Sequence, residues 1–301
     1  ERKARYPVNH KHALSVTDRL VSEAEAQAEL QNNRMSILVA VGTRPEAIKM
    51  IPVVRALQGS GEFFPVVIST GQHEDLVAEL FKDAGLHIDV NLRAARKTEG
   101  VAPTLNEMVA RIIVGIDELW NQQQIPEGMG ADGIRGPRGA IACLVHGDTS
   151  SAAAAALAPF NLQIPVVHVE AGRRTANLME PFPEEGNRQI ISRLAAVHFA
   201  PTSANKANLI REGVDFDRIV VTGNTSIDML KLAIEGAGDL GLGLEEIYED
   251  IDRRVVLITA HRRENWGYGL EQIARAVAEL AALYPSTAFV VPMHPNPIAR
   301  K

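Results

Sequence analysis

The sequence predicts an α/β protein of two doubly wound domains, each with a parallel sheet between layers of helices. Three observations support this prediction. The chain has 301 residues, which suffices for two separate hydrophobic cores. Short apolar runs alternate along it with longer segments of helical periodicity. Polar or ionisable residues follow nearly every apolar run, as expected where parallel strands end at a common edge.

The first domain is predicted over residues 35–223, where its elements follow one another in βα alternation. The first apolar run, 37–41, is followed by Gly42 and is typical of a strand buried on both faces. Further strands are predicted at 65–68, 140–145, 165–169, 196–200 and 219–222. Helices are predicted at 45–57, 73–84, 101–120, 150–158, 185–194 and 203–212. This alternation places helices on both faces of one parallel sheet.

The second domain is predicted over residues 224–301, and it contains fewer elements. Strands are predicted at 254–259 and 287–292, and helices near 226–235, 244–250 and 269–284. Parallel sheets normally have about five or six strands. We therefore expect this second domain to be incomplete in the sequence as it stands.

Two segments do not fit the alternation. Residues 1–34 are predicted to be an N-terminal extension, in which 15–32 has the apolar spacing of a peripheral helix. Residues 121–138 are rich in Gln, Gly and Pro, and we expect a surface loop longer than most connections in such folds.

Composition and charge exclude several classes of function. The net charge is −6 and no basic stripe is present, which argues against a nucleic-acid partner. No run reaches the roughly 18–20 apolar residues of a membrane span, and no apolar signal core is found near residue 1. The single cysteine, Cys143, excludes an intrachain disulfide, and its apolar neighbours indicate a buried structural thiol. We expect a cytoplasmic protein without membrane association.

The chemistry of the sequence is concentrated after the predicted strands. Doubly wound sheets bind ligands outside the carboxyl ends of their strands. Turn formation alone would explain Gly, Asn and Asp at these positions, but not repeated His, Arg and carboxylates. The segments concerned are 42–49, 69–73, 146–150, 170–175, 223–225, 260–265 and 293–297.

The first of these segments has features of an anion site. Gly42 permits a tight turn, and Pro45 fits the first position of a helix, where its missing N–H has no cost. We expect free amides at this helix start to bind an anion, with Arg44 and Lys49 adding charge suited to a diphosphate. The alternative is a strand-to-helix turn with surface charges. The segment is neither a Walker A motif nor a GxGxxG motif, which argues against a dinucleotide oxidoreductase.

Carboxylates at three strand ends and helix starts are candidates for acid and base roles. Asp148 lies at a predicted helix start, where its alternative role is that of an N-cap. Glu170 directly follows a strand, which makes capping less natural. Glu184 and Glu185 begin a helix, where compensation of the helix dipole is the alternative. Adjacent helical side chains point about 100° apart, so we expect only one of this pair to face the site. Neighbouring carboxylates raise one another's pKa, which suits one of them to donate a proton.

Two segments of the second domain carry further candidates. The run from His261 to Asn265 is dense in charge and is interpreted as an anion clamp or, alternatively, as a solvated turn. His294 and Asn296 lie in a proline-bounded loop, where a structural histidine is the alternative.

Six segments together resemble the bacterial non-hydrolysing UDP-N-acetylglucosamine 2-epimerases. They occur in the family's order and the similarity extends over 35–301: Val-Gly-Thr-Arg-Pro-Glu-Ala-Ile-Lys-Met at 41–50, His-Gly-Asp-Thr at 146–149, His-Val-Glu-Ala-Gly-x-Arg-Thr at 168–175, Pro-Glu-Glu-x-Asn-Arg at 183–188, Thr-Gly-Asn-Thr-x-Ile-Asp at 222–228 and Thr-x-His-Arg-Arg-Glu at 259–264. The resemblance implies a glycosyltransferase-B architecture, with two Rossmann-like domains and the substrate in the cleft between them. It also implies a reversible C2 epimerisation of UDP-N-acetylglucosamine to UDP-N-acetylmannosamine that needs no NAD, metal or other cofactor. UDP would be eliminated to give a 2-acetamidoglucal and then re-added, and the product would supply cell-surface polysaccharides.

The resemblance also implies roles for single residues and for partners. The acid/base candidates are Asp148, Glu170 and Glu184, with His261 assisting proton transfer or the diphosphate. The residues implied to hold UDP are Arg44, Lys49, Arg262, His294 and Asn296. Bacterial members bind a second UDP-N-acetylglucosamine as an allosteric activator, and Gln72, Glu185, Arg262 and His294 match that region. The family is usually homodimeric, so a homodimer is implied here.

The sequence departs from the family pattern at several places. Arg173 stands where the family commonly has Leu, and Pro295 enters the family's His-x-Asn-Pro loop. The family's Asp-Ser-Gly-Gly-x-x-Glu-Glu segment, which binds UDP, is not in this sequence. We therefore expect the nucleotide site to be partial in this chain.

Three rival functions remain open at this point. A hydrolysing epimerase would release N-acetylmannosamine and UDP. A glycosyltransferase of the same fold would need an acceptor. A sugar-nucleotide sensor would bind without turnover, and the carboxylates argue against it because sensing does not require them.

Overall fold

The computed structural model describes residues 34–121, 140–236, 254–260 and 267–292. The chain divides into two units, Glu1–Ile234 and Glu235–Lys301. The predicted boundary after residue 223 falls before the last helix of the first unit. The predicted helices at 15–32 and 244–250 lie outside the described residues, as does nearly all of the predicted loop at 121–138.

The first unit contains a parallel sheet of seven strands in the order β3-β2-β1-β4-β5-β6-β7. The strands are β1 (Met35–Val41), β2 (Phe63–Ser69), β3 (Val90–Asn91), β4 (Ala140–His146), β5 (Val166–Val169), β6 (Val197–Ala200) and β7 (Ile219–Val221). The predicted α/β fold class is confirmed. The order of strands reverses between β1 and β4, and the carboxyl ends of strands at such a switch point are where doubly wound sheets bind ligands.

Each described α-helix of the first unit follows one of its strands in the chain. They are α1 (Arg44–Gly59), α2 (Glu74–Asp83), α3 (Leu105–Asn121), α4 (Ser150–Asn161), α5 (Glu184–Leu194), α6 (Ser203–Arg211) and α7 (Thr225–Gly236). Local sequence explains several of their starts. Pro45 lies in the first turn of α1, and the hydroxyls of Thr149 and Thr202 accept hydrogen bonds from the first turns of α4 and α6.

Two apolar layers cover the two faces of the sheet, because successive residues of a strand point to opposite faces. In β1, Leu38 and Ala40 belong to the layer that includes residues of α3, α4 and α5. Val39 and Val41 belong to the opposite layer, which includes α1 and α2. Cys143 is buried in the first layer, as predicted, and burial raises the pKa of its thiol to about 12.

The structure corrects the predicted start of α3. The sequence-based prediction placed it at residue 101, but α3 begins at Leu105, and Val101 is 71% exposed. A reciprocal capping box sets the start, because the Thr104 amide donates to Glu107 Oε2 and the Glu107 amide donates to Thr104 Oγ1. The two-residue edge strand β3 and a short 3₁₀ helix, Phe216–Arg218, were not predicted at all.

The second unit contains both predicted strands among its described residues. These are β8 (Arg254–Leu257) and β9 (Thr287–Val290), which pair in parallel, with α8 (Tyr268–Leu283) between them in the chain. No helix in the described parts of either unit is long and apolar enough to cross a membrane.

Candidate functional site

Glu170 is the residue on which the loops at the carboxyl edge of the sheet converge. It directly follows β5, and its side chain is 7% exposed. Lys49 Nζ of α1 lies 2.5 Å from Oε2, and Asn224 Nδ2 donates to the same oxygen at 3.1 Å. Arg173 Nη1 donates to Oε1 at 3.1 Å, and His146 Nε2 lies 3.5 Å from Oε2. Groups from four separate segments therefore surround one buried carboxylate.

The surroundings of Glu170 hold it in the ionised form. Burial by itself raises the pKa of a carboxyl group. His146 and Lys49 outweigh this cost and hold the pKa of Glu170 well below its usual range. Glu170 is therefore a carboxylate at neutral pH, able to accept a proton or to stabilise a cationic group.

The backbone at Glu170 adopts a conformation that non-glycine residues rarely use. Its φ is 62°, in the left-handed region, and such residues cost about 1–3 kcal/mol each. The following Gly172 has φ 87°, and a Cβ there would lie 2.3 Å from the carbonyl oxygen of Asn205. Asn208 Nδ2 of α6 donates to the Gly172 carbonyl at 2.9 Å. Helix α6 therefore supports the loop that holds Glu170 in this conformation.

A second support of the same loop is Arg174. Its guanidinium donates to both carboxylate oxygens of Glu212, at 2.6 and 2.8 Å, and to Ser192 Oγ at 2.8 Å. Its Nη1 also donates to the carbonyl of Arg173 at 2.7 Å. Bidentate contacts between an arginine and a carboxylate fix the orientation of both groups as well as pairing their charges. Arg174 therefore ties the loop to α5 and to the end of α6.

Asp148 follows β4, on the neighbouring strand of the sheet. Arg188 Nε of α5 lies 3.3 Å from its Oδ2. Asn187 Nδ2 donates to the Asp148 carbonyl at 2.9 Å, and His168 Nε2 lies 2.7 Å from the carbonyl oxygen of Gly147. The N-cap of α4 is Thr149, so the alternative reading of Asp148 as the cap is wrong.

The pKa of Asp148 is shifted in the opposite direction from that of Glu170. Burial raises it, the charges of Arg188 and Arg173 oppose the rise, and the charges of Glu184 and Glu170 add to it. Two carboxyl groups whose pKa values are driven apart by their surroundings are the pattern expected of an acid/base site.

The adjacent carboxylates at the start of α5 lie in different surroundings. Glu185 is fully buried, and it accepts hydrogen bonds from the Thr175 amide at 3.1 Å and from Gln189 Nε2 at 3.0 Å. Burial alone would raise its pKa, but these two donors hold the pKa below its usual range. Glu184 is half-buried, and its Oε2 has no hydrogen-bond partner among the residues described. The negative charge of Glu184 adds to the raised pKa of Asp148.

The expectation of free amides at the start of α1 is wrong for the N-cap residue Thr43 and for Gly42 before it. The amides of Gly42 and Thr43 both donate to Glu46 Oε2 at 2.7 Å. The other oxygen of Glu46 accepts from Thr149 Oγ1 at 2.5 Å, which joins the loops after β1 and β4. The chain supplies its own anion at this helix start. A diphosphate would therefore have to be bound by basic side chains, such as that of the exposed Arg44.

Other predicted residues are placed less centrally or lie outside the description. Gln72, a candidate for the allosteric region, accepts a hydrogen bond from Ser151 Oγ at 2.7 Å. The predicted site residues that lie outside the described parts of the chain are His261, Arg262, His294 and Asn296. Within the described ranges, no group of three or more His, Cys, Asp or Glu side chains is arranged to hold a metal ion.

Sequence reasoning gave no role to four side chains that the structure places beside the two central carboxylates. These are His146, Arg173, Arg188 and Asn224. All four lie in segments that had been singled out as strand ends or motifs, so position along the chain was the available signal. Their individual partners were not evident from spacing.

Comparison with known proteins gives a consistent result. A family model for UDP-N-acetylglucosamine 2-epimerase matches residues 55–301. A UDP-N-acetylglucosamine 2-epimerase from Yersinia pestis is 40% identical over 268 residues, covering 87% of this chain and 66% of the relative. One from Neisseria meningitidis is 38% identical over 271 residues, covering 89% and 68%.

A solved structure extends the similarity to the fold. The crystal structure of UDP-GlcNAc 2-epimerase from Neisseria meningitidis bound to UDP-GlcNAc matches with a TM-score of 0.72 and 38% identity. The match covers 88% of this chain and 68% of that one. The chain thus spans about two thirds of the length of these relatives.

Proposed function

The chain belongs to the UDP-N-acetylglucosamine 2-epimerase family, and on that premise we propose that it interconverts UDP-N-acetylglucosamine and UDP-N-acetylmannosamine. The observation that carries the proposal is the pair Asp148 and Glu170, two carboxyl groups at neighbouring strand ends with oppositely shifted pKa values. Inversion at C2 requires removal of a proton from one face of the sugar and its return to the other face. Two acid/base groups on separate loops suit that requirement.

The proposed reaction proceeds by elimination and re-addition. A carboxylate removes the proton from C2, the electron pair of the C–H bond forms the C1=C2 double bond, and the bond from C1 to the diphosphate oxygen breaks. UDP departs as an anion and leaves a 2-acetamidoglucal. In the second half of the reaction, a carboxyl group donates a proton to the opposite face of C2 and a diphosphate oxygen of UDP bonds to C1. This step completes the epimerisation.

The roles proposed for the carboxylates follow from their surroundings. Asp148, whose pKa is raised, is the group better suited to hold a proton and release it during the reaction. Glu170, which is ionised beside Lys49, is suited to accept the proton from C2 or to stabilise positive charge. Glu184 is the third acid/base candidate. His261 would assist proton transfer or the departing diphosphate.

The UDP group requires positive charge, because the diphosphate is charged in the substrate and gains charge on leaving. Glu46 already occupies two amides at the start of α1. We therefore propose that basic and polar side chains hold the diphosphate. The residues proposed for this role are Arg44, Lys49, Arg262, His294 and Asn296.

Further proposals rest on the family alone. We propose that the enzyme is a cytoplasmic homodimer that supplies precursors of cell-surface polysaccharides. We also propose a second UDP-N-acetylglucosamine as an allosteric activator at Gln72, Glu185, Arg262 and His294. Sedimentation velocity tests the dimer. Initial rates measured at increasing concentrations of UDP-N-acetylglucosamine test the proposed activation. Activation requires that the rate depend sigmoidally on this concentration.

The proposed reaction can be tested by incubating the purified chain with UDP-N-acetylglucosamine in heavy water and observing the sugar protons by NMR. We expect UDP-N-acetylmannosamine to appear, with deuterium incorporated at C2. The variants Asp148→Asn and Glu170→Gln should each lower the exchange rate at least about a hundredfold, since acid/base groups typically contribute 10²–10⁴-fold. Glu79→Gln, a change at an exposed carboxylate of α2, is the matched control and should retain the exchange rate.

Other outcomes would redirect the proposal. Free N-acetylmannosamine together with UDP would indicate the hydrolysing reaction instead. Unchanged exchange in Glu170→Gln would remove Glu170 from the acid/base set. No exchange by the unmodified chain, despite binding of UDP-N-acetylglucosamine in calorimetry, would favour a sensor or a transferase.

A further inference from the structure

Arg173 is a charged side chain of the site to which neither sequence nor family gave a role. It follows Glu170 in the loop after β5, and its side chain is 57% exposed, while that of Glu170 is 7% exposed. Its Nη1 donates to Glu170 Oε1 at 3.1 Å. An exposed guanidinium therefore contacts a buried carboxylate directly.

The two oxygens of Glu170 have different partners. Oε2 is shared by Lys49 and Asn224, and it is also the oxygen nearest His146. Among the described residues, the side chain that donates a hydrogen bond to Oε1 is that of Arg173. Loss of Arg173 would therefore leave a buried carboxylate oxygen without that donor, which is unfavourable.

The backbone of Arg173 is held in place independently of its side chain. Its carbonyl accepts a hydrogen bond from Arg174 Nη1 at 2.7 Å, and Arg174 is itself bound to Glu212. The carbonyl of the preceding Gly172 is bound by Asn208. The backbone of Arg173 is thus fixed beside Glu170, which keeps the guanidinium within reach of that carboxylate.

We propose that Arg173 is a positioning residue, which holds Oε1 of Glu170 and keeps a positive charge beside the proposed catalytic carboxylates. The proposal deepens the proposed function and rests on it for its catalytic consequence. Among the residues that the structure describes, the charged or titratable groups around the two carboxylates are Lys49 from α1, His146 from β4, Glu184 and Arg188 from α5, and Arg173 itself. Arg188 and Arg173 are the cations that oppose the raised pKa of Asp148.

The test uses Arg173→Leu, Arg173→Lys and, as matched control, Arg55→Leu, which removes an exposed arginine of α1 that bonds the Ala84 carbonyl. The first readout is the ¹³C NMR titration of the Asp148 carboxyl, assigned with Asp148→Asn, which needs no turnover. Arg173→Leu should raise the midpoint by about half a pH unit, the scale of an exposed ion pair. Arg173→Lys should restore most of the original midpoint, and Arg55→Leu should not change it.

The second readout is the pH dependence of kcat/KM for UDP-N-acetylglucosamine. Its basic limb, where the group that must be protonated loses its proton, should move to higher pH in Arg173→Leu and return in Arg173→Lys. An unmoved Asp148 midpoint in Arg173→Leu, or an equal shift in Arg55→Leu, would overturn the proposal. A lower rate at every pH without a shifted limb would also overturn it, since that is the result of a purely structural role. Absence of epimerisation in the unmodified chain would count against the proposed function, while the NMR titration would still decide the role of Arg173.

Discussion

At the scale of single residues, Glu46 shows how one buried carboxylate organises an edge of the sheet. It is 3% exposed, binds the amides of Gly42 and Thr43, and accepts from Thr149 Oγ1. Thr149 directly follows Asp148. Glu46 therefore joins the two strands that flank the switch point and fixes the residue beside a proposed catalytic carboxylate.

Replacement of Glu46 by Ala should lower the free energy of unfolding by about 2–4 kcal/mol, because two amides lose their acceptor inside the protein. Urea unfolding monitored by circular dichroism measures the change. Glu107→Ala is the matched control, since Glu107 caps α3 in the same way but at an exposed position. That change should lower the free energy of unfolding much less, because water can replace the lost acceptor at an exposed helix start. Equal losses in the two variants would contradict the importance given to the buried position of Glu46.

At the scale of elements, the loop from Glu170 to Arg174 depends on the close approach of α6 to Gly172. A Cβ at residue 172 would lie 2.3 Å from the Asn205 carbonyl oxygen and 2.8 Å from its carbon. Backbone atoms of a helix cannot move aside as a flexible side chain can. The absence of a side chain at Gly172 is therefore needed for packing as well as for its positive φ.

Gly172→Ala should lower the free energy of unfolding by about 2–4 kcal/mol, combining the left-handed backbone with an overpacked contact. Gly213→Ala separates the two contributions, because Gly213 has φ 85° but open space where a Cβ would lie. It should lose only about 1 kcal/mol. Chemical denaturation of both variants gives the comparison. If Gly172→Ala loses no more than Gly213→Ala, the contact with α6 has little energetic weight.

The same scale shows what the sequence could predict. In the described parts of the first unit, apolar periodicity located the seven α-helices and every strand except β3, since the two residues of β3 give no pattern. The Thr-x-x-Glu capping boxes at Thr104 and at Thr43 were both overlooked. One omission misplaced the start of α3, and the other led to the expectation of free amides in α1. In both cases the glutamate side chain accepts a hydrogen bond from the threonine amide at the start of the helix, and the prediction had not included this bond.

The sequence predicted that the candidate site lies at the carboxyl edge of the sheet, but it did not predict which side chains contact one another there. The segments after β1, β4 and β5 were identified because strand ends carried ionisable residues. Lys49 and Glu170, however, are 121 positions apart in the chain, and their contact depends on the strand order β1-β4-β5. Alternation of elements predicts a parallel sheet without giving the order of its strands, so these partners could not be assigned from the sequence.

At the scale of the whole molecule, the buried histidines of the sheet link stability to pH. His168 and His198 lie on the adjacent strands β5 and β6, both fully buried, with ring centroids 6.5 Å apart. Burial lowers the pKa of His168 to about 3 and that of His198 to about 4. Both nitrogens of His198 lack hydrogen-bond partners among the described residues. Folding therefore favours two neutral rings inside the sheet.

The sign of the pH dependence follows from these lowered values. In the unfolded chain a histidine takes up a proton below about pH 6.5, whereas the folded chain does not until about pH 4 or below. The stabilisation is fully present above pH 6.5 and is lost as the pH falls from there. Each histidine should reduce the free energy of unfolding by about 1.4 kcal/mol per pH unit between roughly pH 6 and 4.5. Carboxylates with lowered pKa, such as Glu170, add their loss mainly below this range.

Replacing His198 by Phe should therefore make the protein more resistant to acid. Phenylalanine preserves a ring beside His168 and removes a group that binds a proton only in the unfolded chain. We expect a nearly unchanged or slightly higher free energy of unfolding at pH 7, and a slope between pH 6 and 4.5 smaller by about 1.4 kcal/mol per unit. Urea unfolding at a series of pH values measures both, with His87→Phe, a change at a side chain that is 76% exposed, as the matched control. If His198→Phe keeps the slope of the unmodified chain, the acid sensitivity must arise from groups other than this buried pair, because one of its two proton-binding rings would then have been removed without effect.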